Sequence, residues 1–416
     1  MKPFFRFILE NARWLAGGFL MTLFSSFGQT FFISISSGRI REEYGLSNGG
    51  FGMLYMLATL ASALTLPRLG QIVDRTATRN VALFIIPMLA FATVLMAASH
   101  HIALLFLAIY LLRLFGQGMM THTAFTVMAR WFSAQRGRAI SLVALGQNAG
   151  EAVFPFLFVA LAASVGWRNG WLLGAAILLI VALPAIMVLI AVERAPRRSD
   201  PAPRISSARD WSRAEVVRDP VFYMLLFGVM APSFIATTIL FNQVYLVELR
   251  GWSLEVFASS FTVSATMTVV VALVSGHLID RFSGIALLPG FLLPLGVACL
   301  VLGTFEEQWS AFAFMGLLGV SNGFSSTLFG SIWPEIYGVR YLGAIRALVV
   351  AIMVFASAMG PGVTGFLIDS GVSYPAQIIA MGLYCFLISF LLLYATRRVQ
   401  ARASTDAFVA EHPVRS

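Results

Sequence analysis

Gly70-Gln-Ile-Val-Asp74-Arg75 and Gly276-His-Leu-Ile-Asp280-Arg281 share the pattern Gly-x-x-x-Asp-Arg at an offset of 206 residues (280 − 74). The same offset carries Gly45 and Ser47 onto Gly251 and Ser253, Phe51 onto Phe257, Gly137 onto Gly343 and Pro155 onto Pro361, with no gap. A repeat of about half the chain length means two copies of one structural unit in the same order. In a membrane chain, such a repeat points to two halves related by an axis along the membrane normal.

The composition is that of a membrane chain. It is 59% hydrophobic and 11% charged, against about 25% charged in soluble domains, and its mean hydropathy is +0.84. Windows with few or no charges mark the spans. They run Trp14–Gly38, Gly49–Pro67, Asn80–Ser99, Ile102–Ala129, Ala139–Val165 and Asn169–Val192, then Val221–Val247, Val256–Ile279, Phe282–Phe305, Gln308–Pro334, Ala347–Ile368 and Ser370–Thr396. Each is near the roughly 20 residues that cross about 30 Å of hydrocarbon. The first window is too long for a cleaved signal segment, so it is read as retained.

The spans predict an all-α integral membrane protein: twelve transmembrane helices in two six-helix bundles, 1–193 and 220–396. A cytoplasmic linker, 194–219, joins them and a tail, 397–416, follows. Twelve spans put both termini on one side. If that side is the cytoplasm, 23 of the 28 Lys and Arg lie there, while Arg39, Arg41, Arg168 and Arg250 lie outside and Arg113 falls within a span. The positive-inside rule fixes this orientation, so the net charge of +9 is a topology signal. No basic face on a soluble domain suggests a nucleic-acid partner.

Cys299 and Cys385 sit in separate apolar runs and form no disulfide framework or metal motif. No histidine or carboxylate cluster has metal-ligand spacing. The single lysine is Lys2, so no phosphate-binding Walker loop exists. No cofactor is expected. In the linker, Ala-Pro-Arg-Arg-Ser-Asp-Pro-Ala-Pro reads as extended. Ser206–Arg218 reads as a short amphipathic helix on the inner leaflet, and Asp219-Pro220 as an N-cap and first-turn proline. The tail after Arg397 is polar and expected to be disordered.

The repeated Gly-x-x-x-Asp-Arg, twelve spans and basic central linker resemble the major facilitator superfamily. Trp131-Phe132 with Arg136-Gly137-Arg138-Ala139 is similar to that family's segment between spans four and five, and Arg113-Leu-Phe-Gly-Gln117-Gly118 to the span-four motif of its proton-coupled members. The resemblance implies a secondary transporter rather than an enzyme, a monomer in the cell inner membrane. It would rock two halves about a midplane site and move a small solute together with a proton. It places Asp74, Arg75 and Arg79, with Asp280 and Arg281, at a cytoplasmic gate, joined by Arg130 and Arg138. The overall look is similar to the bacterial monocarboxylate and oxalate–formate type members, which implies a small carboxylate. Sugar, amino-acid or drug transport stays open, as does a non-transporting sensor.

Two charges lie within spans. Arg113 stands about eleven residues into span four, or about 16 Å at 1.5 Å per residue, and Glu151 is similarly central in span five. A charge at this depth costs roughly 2.5–3.5 kcal/mol on insertion scales, so it is normally paired and functional. Consecutive helices are antiparallel neighbours, so an Arg113–Glu151 pair is expected. Arg113, Gln117 and Thr121 share one helical face, as do Gln147, Glu151 and Pro155. Glu151 could take up a transported proton, contact a cationic group of the solute, or serve as fixed counter-ion to Arg113. By the resemblance, spans one, four, seven and ten line the path. Gln29, Asn242, Gln243 and Asn322 are the polar candidates there, among serines and aromatic rings that suit a small organic ligand.

Overall fold

The computed structural model describes residues 2–132, 135–194, 210–338 and 341–411, which are helical with no strand. Eleven helices are long and apolar enough to cross a membrane. A bent pair, Arg6–Gly28 and Thr30–Tyr44 at 44° to each other, supplies a twelfth. Leu64, Ile180, Leu273 and Phe390 are among many exposed large apolar side chains. In water such a surface would be an aggregation hazard, whereas in a bilayer it faces acyl chains.

Span one is built from Lys2–Phe24, Ser25–Gly28, Thr30–Ile33, Ser34–Ser36 and Ser37–Tyr44. Spans two and three are Asn48–Leu69 and Thr78–Ala98. Span four is Ile102–Leu111, Leu112–Met120 and Thr121–Trp131; span five is Arg136–Val165; span six is Trp167–Ala176, Ile177–Ala182 and Leu183–Leu189. In the second repeat, span seven is Pro220–Phe241 continued by Gln243–Arg250, and span eight is Leu254–Phe282. Span nine is Gly284–Leu287, Leu288–Gly290 and Leu293–Thr304. Spans ten, eleven and twelve are Trp309–Tyr337, Leu342–Asp369 and Tyr374–Glu411.

The repeat is visible in backbone detail. Gly45 ends span one with φ 61° and Gly251 ends span seven with φ 64°, a left-handed cap that glycine adopts without strain. Ser47 then caps span two by accepting from the Gly50 N–H at 2.9 Å.

Two compact units emerge. The first is Met1–Pro203 with Thr237–Ala265 and Ala358–Gly371; the second is Arg204–Ala236, Thr266–Ser357 and Val372–Ser416. The first repeat thus takes with it the ends of spans seven, eight and eleven that lie away from the linker, hereafter the far side. Within this unit the Ser34 hydroxyl donates to the Leu240 carbonyl at 2.7 Å. These residues are 206 apart, so the pseudo-symmetry axis passes where spans one and seven cross. Gln243 Nε2 donates to the Phe31 carbonyl and to Ser34 Oγ, both at 2.8 Å. Arg41 pairs with Asn48 at 2.7 Å and Glu248 at 3.2 Å, and the Gly49 N–H donates to Asp369 at 2.9 Å. Phe241 stacks on Phe51 with centroids 5.1 Å apart and leans on Tyr55 at 4.7 Å.

Each unit is tied at its linker side by an arginine after its last span. In the first, Arg194 donates to Asn11 Oδ1 at 3.0 Å and to the Trp131 carbonyl. In the second, Arg402 grips Asp219 with two bonds of 2.8 Å, and Asp219 also accepts from Tyr337 at 3.1 Å. Burial alone would raise the Asp219 carboxyl. The guanidinium of Arg402, the Val221 N–H and the Tyr337 hydroxyl outweigh it and hold the group below its usual range. The Glu193 carboxyl is likewise held low by the Thr78 N–H at 2.8 Å, against a smaller burial effect, with help from the Thr78 hydroxyl and Arg130.

Two expectations change. The helix after Arg397 continues to Glu411, with Arg402 anchored to Asp219, so an ordered helix replaces the expected disordered tail. In the linker, the extended segment and 206–209 lie outside the described residues. The helix is short, Arg213–Arg218, with a Ser212–Glu215 capping box. Val216 is fully buried and Trp211 packs on Tyr337 at 5.6 Å, so its apolar residues face protein rather than lipid. Asp219 caps span seven as expected, accepting from the Val221 N–H at 3.1 Å.

Candidate functional site: a broken helix between two buried charges

Span one breaks at mid-length. Its first helix tightens into a 3-10 turn at Ser25–Gly28, Gln29 is extended (φ −81°, ψ 151°), and the helix resumes at Thr30. A break strands carbonyls that an unbroken helix would satisfy, and in hydrocarbon each needs a new partner. Gln243 of span seven takes the Phe31 carbonyl, and Arg113 of span four takes that of Gly28.

Arg113 lies in a stretch of π-helix, Leu112–Met120, a wider winding that recurs at functional sites. Its Nη1 donates to the Gly28 carbonyl at 3.3 Å and to Thr30 Oγ1 at 3.2 Å. Thr30 Oγ1 also accepts from the Tyr55 hydroxyl at 2.8 Å. The guanidinium lies 5.4 Å from the centroid of the Tyr55 ring, a cation–π distance. Arg113 is 4% exposed, and its Nε is buried without a partner. The close approach depends on Gly28 and Gly116. A Cβ on Gly116 would stand 2.6 Å from Gly28 Cα.

Glu151 is half-buried in span five and makes no hydrogen bond or ion pair among the described residues. The direct Arg113–Glu151 pair expected from helix order does not form. Span one's broken segment packs against both helices: Gly28 lies on Gly116 of span four, and a Cβ on Gly150 of span five would strike Ser26 Oγ. Helix order fixes adjacency, not which faces meet. Ser26 Oγ, beside Gly150, is itself buried and unpartnered. Phe154, one turn along from Glu151, packs on Phe24 and Phe27 with centroids 6.0 and 5.4 Å away.

The other candidates divide by environment. Gln29 forms the break and is buried, while Gln117 and Gln147 are half-buried. Asn242 is buried and bonded to its own helix at the Thr238 carbonyl, 2.9 Å away. Gln243 is committed to span one. Asn322 is half-buried in the second unit beside the fully buried Ser321. Of the gate residues, the side chains of Asp74 and Asp280 lie outside the described residues. Arg75 and Arg79 are exposed and pair with no acid among the described residues. Arg281 is exposed over the Phe282 ring, 5.2 Å from its centroid. Arg138 is exposed, whereas Arg130 bonds the Val73 carbonyl and Thr78 Oγ1, each at 3.2 Å.

Sequence reasoning missed Thr30 and Tyr55, because the search for a path was confined to spans one, four, seven and ten. A signal existed. The offset maps Tyr55 onto Phe261 and Arg113 onto Gly319, so the hydroxyl and the charge both occur only in the first copy.

Twelve apolar crossings in two offset copies define a membrane transporter fold. A bacterial homologue of the human lysosomal transporter Spinster, in an inward-facing and unoccupied conformation, matches with TM-score 0.73 over 96% of this chain and 98% of its own at 16% identity. The occupied, inward-facing form matches with TM-score 0.66 at 17% identity, over 97% of this chain and 98% of its own. In sequence, the Major Facilitator Superfamily profile matches residues 18–345, and the chain belongs to that family. "MFS-type transporter 1" of Ophiocordyceps sp. (strain BCC 1869) is 29% identical over 202 residues. That match spans 47% of this chain and less than half, 43%, of the fungal protein. Family and fold point to transport of a small molecule across a membrane rather than to catalysis.

Proposed function

We propose that this chain is a proton-coupled secondary transporter of a small organic carboxylate. Arg113 binds the solute and Glu151 carries the coupled proton. The observation that carries this reading is the Arg113 environment: a guanidinium deep in a membrane span, held only by neutral oxygens and a ring. Intramembrane charges normally sit with an opposite charge. A guanidinium lacking one favours an anionic ligand, for which its planar fork is suited. Glu151, free of protein partners, is available to exchange a proton as the site changes access.

The linker side is taken as cytoplasmic, the membrane as the cell inner membrane, and the working unit as a monomer. The rocking bodies are 1–193 and 220–396. The far-side contacts of spans one and two with spans seven and eleven support a state closed on that side. The exposed, unpaired Arg75 and Arg79 fit a linker-side gate whose pairs are broken, with Asp74, Asp280 and Arg281 as the other members. Gln29, Gln117, Gln147, Asn242, Gln243 and Asn322 are the neutral groups assigned to the path.

A thermal-shift screen of the purified protein against monocarboxylates, dicarboxylates, sugars and lipophilic cations tests the solute class. Carboxylates should raise the unfolding midpoint, and Arg113→Gln should abolish that shift. Flat responses to every carboxylate, or shifts that persist in Arg113→Gln, would exclude this assignment.

A further inference from the structure

Tyr55 is fully buried and each of its faces is engaged. Its hydroxyl donates to Thr30 Oγ1 at 2.8 Å. The Arg113 guanidinium lies over its ring at 5.4 Å, and the ring leans on Phe241 of span seven at 4.7 Å with a 48° interplanar angle. Phe241 is also the far-side partner of Phe51. One side chain therefore touches the buried cation, the restart of the broken helix and the aromatic seal between the repeats.

The second copy supplies a contrast. Phe261, the offset equivalent of Tyr55, packs on Phe31 of span one at 5.9 Å. The crossed aromatic contact is thus duplicated, but it has no hydroxyl, and the position equivalent to Arg113 is Gly319. Packing alone is met by phenylalanine. The added hydroxyl stands where the cation stands.

We propose that Tyr55 is a positioning residue that orients the Arg113 guanidinium and couples its position to the far-side seal. This builds on the reading of Arg113 as the solute-binding cation. The bonds from Arg113 to Gly28 and Thr30 are long for N–H···O bonds, and a carboxylate is a stronger acceptor than either. An anion that draws the guanidinium away removes the charged donor from Thr30 and the cation from the Tyr55 ring. Tyr55 is then held less firmly against Phe241. Linkage requires the reverse as well: opening the seal weakens the grip on Arg113.

The test needs no solute. Ser37 is 4% exposed and lines a small far-side pocket with Arg41, Asn48, Phe51, Phe241 and Asn242. A cysteine there reports opening of the seal. Cys299 and Cys385 are fully buried and serve as internal controls. The maleimide labelling rate of Ser37→Cys is measured in the purified full chain, alone and with Tyr55→Phe, Arg113→Gln or both. Each single substitution should raise the rate roughly 5-fold, the scale of a desolvated cation–π contact. The double substitution should exceed the larger single by little, because both act through one linkage. An unchanged rate in either single variant, or effects that multiply to roughly 25-fold, would overturn the coupling. So would a parallel rise at Cys299 or Cys385, which would mean general loosening. If Arg113→Gln abolishes carboxylate binding while labelling is unchanged, the coupling falls and the solute assignment stands. Non-additive labelling with binding intact in Arg113→Gln supports the coupling and removes the solute assignment.

Discussion

Alanine at Gly116 should disable the site, while alanine at Gly118, two residues away in the same π segment, should be tolerated. A Cβ on Gly116 would lie 2.6 Å from Gly28 Cα and 2.7 Å from its nitrogen, both backbone atoms. Ordinary contact begins near 3.4 Å, so spans one and four must separate by about 0.8 Å (3.4 − 2.6). The Arg113 bonds of 3.3 and 3.2 Å would stretch to about 4 Å, beyond hydrogen-bonding distance. Overpacking costs about 1–3 kcal/mol, and leaving a buried donor unmet adds about 1–3 kcal/mol. At Gly118 the first obstacle is Leu66 Cδ1 at 3.2 Å, the end of a side chain that can rotate away, so the cost should stay below about 1 kcal/mol. Thermal unfolding of both purified variants, with carboxylate binding measured alongside, checks this. Equal losses in the two variants, or full binding in Gly116→Ala, would refute the argument that Gly28–Gly116 contact sets the Arg113 geometry.

Asp219→Asn should destabilise by roughly 2 kcal/mol, less than the 3–5 kcal/mol of a fully buried broken pair, because the Arg402 side chain is 38% exposed and can rehydrate. The folded carboxyl sits below its unfolded value, so its stabilisation is complete above about pH 5 and is lost as pH falls below about 4. Denaturation curves of wild type and variant should therefore converge in acid. Gln243→Leu deletes two bonds of 2.8 Å and strands the Phe31 carbonyl. It should cost about 1–3 kcal/mol and lower the unfolding midpoint. Arg113→Lys keeps the charge but loses the planar fork, so carboxylate binding should fall at least about tenfold by titration calorimetry.

Much of the fold was legible because it rests on composition and repetition. Gly45 and Gly251 were paired by the offset before their matching left-handed caps were seen, and Ser34 bonds its own offset position, Leu240. The site was legible in part. Arg113 and Glu151 stand out because charge is costly in hydrocarbon. What they face does not, since an amphipathic pattern names a face and not its neighbour. The break at Gln29 has no proline to announce it; Ser-Ser-Phe-Gly-Gln could continue a helix, and it opens because Arg113 and Gln243 satisfy the stranded carbonyls. The π winding at Leu112–Met120 is hidden for a similar reason, as one extra residue in a turn barely disturbs a uniformly apolar run.

The most direct measurement is uptake of a radiolabelled carboxylate, chosen from the thermal-shift hits, into proteoliposomes under an imposed pH gradient. The account predicts accumulation above the external concentration in wild type. In Glu151→Gln it predicts exchange of carboxylate for carboxylate without gradient-driven accumulation. Accumulation in Glu151→Gln with unchanged rate and pH dependence would contradict it.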